Sequence, residues 1–122
     1  NTKYIVIKRG DTLNDNIAKQ LKKGILEMII LKILSNKEMY GYELVSEINR
    51  RSESLNIKEG TLYPILYRLE DNDLIKAQWE LTASRNQPKK FYCVTEKGKQ
   101  AMTEAYSQWK AISEDITRIM ED

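Results

Sequence analysis

The stretch Gly60-Thr-Leu-Tyr-Pro-Ile-Leu-Tyr-Arg-Leu-Glu-Asp71 separates two kinds of side chain. Leu62, Ile65, Leu66 and Leu69 recur at helix spacing and make one apolar stripe. At about 100° per residue, Gly60, Pro64 and Tyr67 fall opposite that stripe. Thr61, Tyr63 and Arg68 flank them, and Lys58 stands just ahead. The outer face therefore offers hydroxyls, a guanidinium and an ammonium, groups that hydrogen-bond and attract anions. Gly60 and Pro64 are poor residues for a helix interior. Near the N-terminal end of the helix a missing amide donor costs least. If the helix starts nearer Lys58 than Thr61, Pro64 lies beyond the first turn and should bend or locally disrupt it.

Bond-making chemistry has little to work with elsewhere. The 122 residues contain no histidine, which removes the commonest general base. One cysteine, Cys93, cannot form an internal disulfide and fits a reducing cytoplasm. No metal, iron-sulfur site or cofactor is expected from so few ligating residues, and the five glycines are scattered singly, with no phosphate-cradling loop. An enzyme is not expected. A hydrophobic fraction of 41% with 31% charged residues describes one soluble, globular domain. The apolar run over 25–34 is interrupted by Glu27 and Lys32 and is short of the ~20 residues of a membrane span. No signal-peptide pattern opens the chain, so a cytoplasmic protein without membrane association is expected.

The charge is unevenly distributed. Over 85–99, Arg85, Lys89, Lys90, Lys97 and Lys99 stand against Glu96 alone; over 104–122, five acids stand against Lys110 and Arg118. One end of the fold can face a polyanion while the other does not, although such a run can also be a solvated face.

The elements that position these groups follow from periodicity. Residues 1–14 are expected to be an extension, with a short strand Tyr4-Ile-Val-Ile7 and the turn former Arg9-Gly10-Asp11. A first helix is expected from about Asp15 to Leu34, and Leu21, Ile25, Met28, Ile29 and Ile33 form its stripe. Leu26, Ile30, Leu31 and Leu34 widen that stripe, so the helix should be buried on more than one side. After a polar loop over 35–38, a second helix fits 41–51, a turn fits 52–57, and the opening stretch supplies the next helix. Two helices joined by a tight turn are the layout of a helix-turn-helix.

Beyond Asn72-Asp73 the period becomes two. Ala77, Trp79 and Leu81 alternate with polar residues, and a second strand over 90–94 follows the polar loop 82–89. Trp79 reads as hairpin packing. Thr95 is a natural N-cap for a last helix over 95–120. There Met102, Ala105, Trp109, Ile112, Ile116 and Ile119 run at alternating intervals of three and four, a heptad seam. The expected fold is mainly α with a small β-hairpin. A winged helix-turn-helix spans 15–94, and a C-terminal dimerisation helix spans 95–122. The interface joins Leu21, Ile25, Met28 and Ile29 to that seam; the plainer alternative packs both helices within one chain.

Three runs carry a resemblance. Tyr40-Gly-Tyr-Glu-Leu44, the stretch over 60–70, and Pro88-Lys-Lys-Phe-Tyr-Cys-Val-Thr-Glu-Lys-Gly98 resemble the PadR family of bacterial transcriptional regulators, over roughly residues 18 to 122. The long C-terminal helix is similar to that of the short-chain subfamily, which includes a multidrug-responsive regulator with a drug-stacking tryptophan where this chain has Trp109. The extension before residue 17 departs from that pattern. The resemblance implies a homodimeric winged-helix repressor bound to a double-stranded DNA operator.

On that footing the outer face of the recognition helix is expected in the major groove. Gly60 admits the backbone, Pro64 belongs to the smooth outer surface, and Thr61, Tyr63 and Tyr67 reach phosphates or base edges. Lys58 pairs with phosphate and Tyr42 bonds the DNA backbone. Arg85, Lys89 and Lys90 of the wing are expected near the minor groove or its flanking phosphates. For Tyr63 the alternative is packing under the wing; for Arg68, an ion pair with acids around Glu70-Asp71. Trp109 meets or approaches its copy across a two-fold axis, where paired indoles leave a slot for a small aromatic or cationic ligand. Filling of the seam is the simpler role. A winged-helix protein–protein adaptor without operator binding is the alternative function.

Overall fold

The computed structural model describes residues 17, 21–22, 24–80 and 89–122. The expected extension, its strand, Arg85 and the loop between the wing strands lie outside the described residues. The described elements run in the order α1 (Ile25–Asn36), β1 (Met39–Tyr40), α2 (Gly41–Arg51), α3 (Glu59–Asp71), β2 (Ile75–Glu80), β3 (Lys89–Val94) and α4 (Glu96–Met120). No helix among the described residues is long and apolar enough to cross a membrane.

The first helix differs from expectation. Ile17, Leu21 and Lys22 have helical backbone, but Gly24 forms a turn and α1 starts at Ile25. Glycine lowers helix stability by about 1 kcal/mol relative to alanine, enough to separate two helical segments at that point. At the other end α1 continues through Asn36, two residues beyond the apolar pattern.

The core forms where three stripes converge. Leu26, Ile30, Leu31, Ile33 and Leu34 of α1 meet Leu44 and Ile48 of α2 and Leu62, Ile65, Leu66 and Leu69 of α3. Ile75 and Tyr92 close it from the sheet. Burial pushes the Tyr92 hydroxyl up to about 12.

Asn49 fixes the turn between α2 and α3. Its side-chain amide donates to the Ile57 carbonyl and its side-chain oxygen accepts from the Ile57 amide, both at 2.8 Å. Asn56, beside that clamp, takes a left-handed φ of 39°, which asparagine tolerates better than most residues.

The hairpin is one part of a three-stranded antiparallel sheet in the order β1-β3-β2. Met39 and Tyr40 pair with Tyr92 and Phe91. In the hairpin itself Trp79 opposes Lys90 and Glu80 opposes Lys89. Asp73, at φ 60°, turns the chain from α3 into β2.

That turn also seats the last helix. Thr95 accepts from the Gly98 amide at 3.0 Å, the N-cap expected of it, and donates to the Asp73 carbonyl at 2.7 Å. The Lys97 ammonium donates to the Asn72 carbonyl at 3.0 Å. Gly98 is buried against the Leu74 carbonyl, and the Thr95 amide bonds that same carbonyl. The N-terminus of α4 is thus fastened to the turn that ends α3.

Candidate nucleic-acid interface

Helix α3 begins at Glu59 with Lys58 as its N-cap residue, the earlier of the two starts considered. Pro64 therefore lies inside the helix, where its ring removes the amide that would bond the Gly60 carbonyl. The helix nevertheless runs unbroken to Asp71. Lys58, Gly60, Thr61, Pro64 and Tyr67 are all exposed, and a Cβ at Gly60 would meet nothing within 4 Å. They form a smooth outer surface with one aromatic prominence.

Two residues assigned to that surface have partners on other helices. Tyr63 is half-buried and turns toward α2, where its ring occupies the space a side chain at Gly41 would fill. The ring carbon bearing the hydroxyl would be 2.7 Å from such a Cβ. Gly41 is needed for this approach, and burial raises the Tyr63 hydroxyl pKa. The packing lies against the start of α2 and was not visible as such in the sequence. Arg68 is exposed, but its Nε donates to Glu27 of α1 at 2.8 Å. Its partner is thus on another helix, not among the acids at Glu70-Asp71.

The wing cations also have neighbours. The Lys89 ammonium lies 5.5 Å from the centre of the Tyr40 ring. Tyr40 in turn stacks on Tyr42 at 5.7 Å, with the ring planes 5° apart. The Tyr40 hydroxyl donates to the Glu80 carboxylate, and that bond pushes its pKa up to about 12. Its backbone amide donates to Glu43 at 2.9 Å, fixing the start of α2. Tyr42 remains about half exposed beside this stack. Lys90 turns to the opposite side of the sheet and faces α3, with Glu70 3.6 Å from its ammonium. Trp79 is 64% exposed, and its packing in the hairpin is against its cross-strand neighbour Lys90.

The expected interface residues divide along α4. Met102 and, on α1, Ile29 pack against the core of their own chain. Ile25, Met28 and Ala105 are half-buried, and Leu21 is exposed. Trp109, Ile112, Ile116 and Ile119 are 43%, 53%, 52% and 72% exposed. An apolar groove of about 430 Å³ lies between α1, α2 and α4, with Met28, Ile33, Leu55, Met102 and Tyr106 on its walls. Lys32 and Arg51 stand among its polar lining.

The model of the transcriptional regulator PadR-like family matches residues 30–104. This chain belongs to that family. The match spans all of the core but Leu26, all three strands and the start of α4. PadR-family proteins are transcriptional regulators, and the winged helix-turn-helix here is their DNA-binding architecture. An uncharacterised protein of Lysinibacillus sphaericus is 38% identical over 81% of this chain and 91% of its own length. The Escherichia coli transcriptional regulator YqjI is 33% identical over 76% of this chain, but the match spans 43% of that protein. A PadR-family regulator from Eggerthella lenta has a similar crystal structure, with a TM-score of 0.78, 28% identity, and coverage of 89% and 93% of the two chains. A PadR-like regulator from Bacillus cereus gives 0.71 at 31% identity over 84% and 98%.

In this PadR-family chain sequence reasoning missed Glu27, Tyr40, Gly41 and Asn49, and it gave Glu70 the wrong partner. Each acts through a residue eight or more positions away, beyond helical or strand spacing, so periodicity gave no signal for them. Only the Tyr40-Gly-Tyr-Glu-Leu44 run drew attention to its neighbourhood.

Proposed function

We propose that this regulator is a homodimeric repressor of the short-chain, multidrug-responsive kind, acting in the cytoplasm on an operator in double-stranded DNA. The observation that carries the reading is the exposed stripe Trp109-Ile112-Ile116-Ile119 on α4. A regular apolar stripe on a helix already fastened to the DNA-binding domain calls for a partner helix. A second copy supplies the same stripe under two-fold symmetry. The groove beside Met102 and Tyr106 continues the stripe toward α1 and offers further apolar surface to the partner.

In this reading α3 lies in the major groove. Thr61 and Tyr67 bond phosphates or base edges, Gly60 and Pro64 let the helix come close, and Lys58 pairs with phosphate. Tyr42 bonds the backbone from the start of α2, and Lys89 faces the flanking phosphates. Arg68 contributes directly only if it leaves Glu27, so its first role is to tie α3 to α1. The adaptor alternative leaves the free outer face of α3 without a use.

The regulatory half of the proposal rests on Trp109. Its indole stacks on Tyr106 at 6.2 Å, with the planes 11° apart, and both rings are partly exposed. A planar aromatic cation entering between the paired indoles would be held by stacking and cation–π attraction. By changing the spacing of the two α4 helices it would shift the recognition helices and release DNA.

Two titrations test these halves. Fragments of DNA from upstream of the encoding gene, run against random competitor, should show a salt-sensitive and sequence-selective complex. A planar cationic dye should quench tryptophan emission saturably in Trp79→Phe and fail to do so in Trp109→Phe. Quenching that persists without Trp109 would remove the slot.

A further inference from the structure

Lys90 stands where the wing hairpin meets the recognition helix. Its ammonium lies 5.7 Å from the centre of the Tyr67 ring, 5.6 Å from that of Trp79 and 5.5 Å from that of Tyr92. A Glu70 carboxylate oxygen is 3.6 Å away. The surrounding groups come from three elements. Trp79 is the cross-strand partner of Lys90 on β2, and Tyr92 follows it on the same face of β3. Tyr67 and Glu70 are one turn apart on α3.

Aromatic faces hold a cation within about 6 Å, and all three rings meet that distance. The side chain of Lys90 is 27% exposed, so most of its surface is already covered. A lysine strengthens the salt dependence of DNA binding by neutralising a phosphate and releasing its counterion. Here Glu70 already balances the charge, and the rings already surround it. To reach a phosphate, Lys90 would have to leave this box and strand Glu70.

We propose that Lys90 is a positioning residue: it pins the wing hairpin to the recognition helix and supports DNA affinity through that spacing, with no phosphate of its own. The inference rests on the DNA reading above, and it assigns Lys90 differently from its neighbour Lys89. Because adjacent residues of β3 point to opposite faces, the two lysines serve opposite sides of the sheet. The wing then sits at a fixed distance from Tyr67, so both enter their grooves in register.

The test compares the salt dependence of DNA affinity for wild type, Lys90→Gln, Lys90→Arg and Lys89→Gln on one operator fragment. Lys90→Gln should lose affinity about tenfold at every salt concentration, giving a line parallel to wild type. Lys90→Arg should recover most of that loss, because a guanidinium also stacks on rings and pairs with a carboxylate. Lys89→Gln should flatten the slope by about 0.9 for each phosphate it no longer neutralises. A slope flattened equally by Lys90→Gln, or an affinity that it leaves unchanged, overturns the proposal.

A second readout does not need DNA. In a Trp109→Phe background the remaining emission comes from Trp79, and Lys90→Gln should change its intensity while Lys89→Gln should not. Equal effects, or none, would overturn the proposal. If wild type binds no DNA at low salt, the DNA reading fails, and Trp79 emission alone then decides whether Lys90 pins the wing.

Discussion

Ile116→Glu is expected to leave the chain folded and convert it from dimer to monomer, with the dimer dissociation constant raised at least ~100-fold. Ile116 is half exposed within one chain, so a glutamate there disturbs little of the core. In the proposed dimer the substitution occurs twice, once on each helix, near a common axis. A carboxylate pressed into an apolar seam loses its hydration and finds another carboxylate nearby. Even about 1.5 kcal/mol per copy reaches the expected change in association, since each 1.4 kcal/mol is tenfold. Sedimentation equilibrium reads the mass, and circular dichroism checks that the helices remain. Operator affinity should fall with it, because a monomer loses the gain from holding two half-sites at once. A dimer of unaltered strength would mean that the stripe packs on something else.

The second large effect lies where the DNA-binding domain joins α4. Gly98→Ala is expected to destabilise the fold by about 3 kcal/mol, measured by urea denaturation. A Cβ at this position would collide with the Leu74 carbonyl oxygen and stand 2.7 Å from a Val94 methyl. The carbonyl belongs to the turn that Thr95 and Lys97 already bond, so it cannot yield without opening those contacts. Gly60→Ala is the matching control: space there is open, and alanine favours a helix. Equal, small effects at both positions would show that α4 is not seated as tightly as the geometry describes.

The same junction explains why the long helix matters to DNA binding. Thr95 and Gly98 hold α4 against the end of α3, and the Arg68–Glu27 pair ties α3 to α1. In the proposed dimer, a change in the spacing of the two α4 helices would reach the recognition helix through the 72–74 turn. Lys90 extends that rigid unit to the wing. The proposed ligand control of DNA release would need no separate hinge in such an arrangement.

Local periodicity carried much of this fold. The stripe of α3, the alternation of Ala77 and Trp79, and the cap at Thr95 each depend on neighbours a few residues apart, and they are readable in the sequence. The two-residue strand at Met39 was not, because it forms only by pairing with β3 some fifty residues later. Gly24 falls inside the helix that periodicity predicts, yet it marks a turn. The site was less legible than the fold. An outward position on a helical wheel describes Pro64 and Tyr67 well, but it cannot tell that Tyr63 bends inward onto Gly41. Likewise, a basic run cannot tell that Lys90 turns into three rings while Lys89 lies on Tyr40. Those differences come from contacts between elements, which no single stretch encodes.

A symmetric pair of these chains is proposed to read two half-sites with α3. Hydroxyl-radical footprinting of the DNA upstream of the encoding gene tests it most directly. Two protected segments are expected about 34–36 Å apart, one turn of the double helix or a multiple of it. Protection should survive excess random DNA and disappear with Tyr67→Ala at the same protein concentration. A single unpaired protected segment, or protection indifferent to Tyr67, would contradict it.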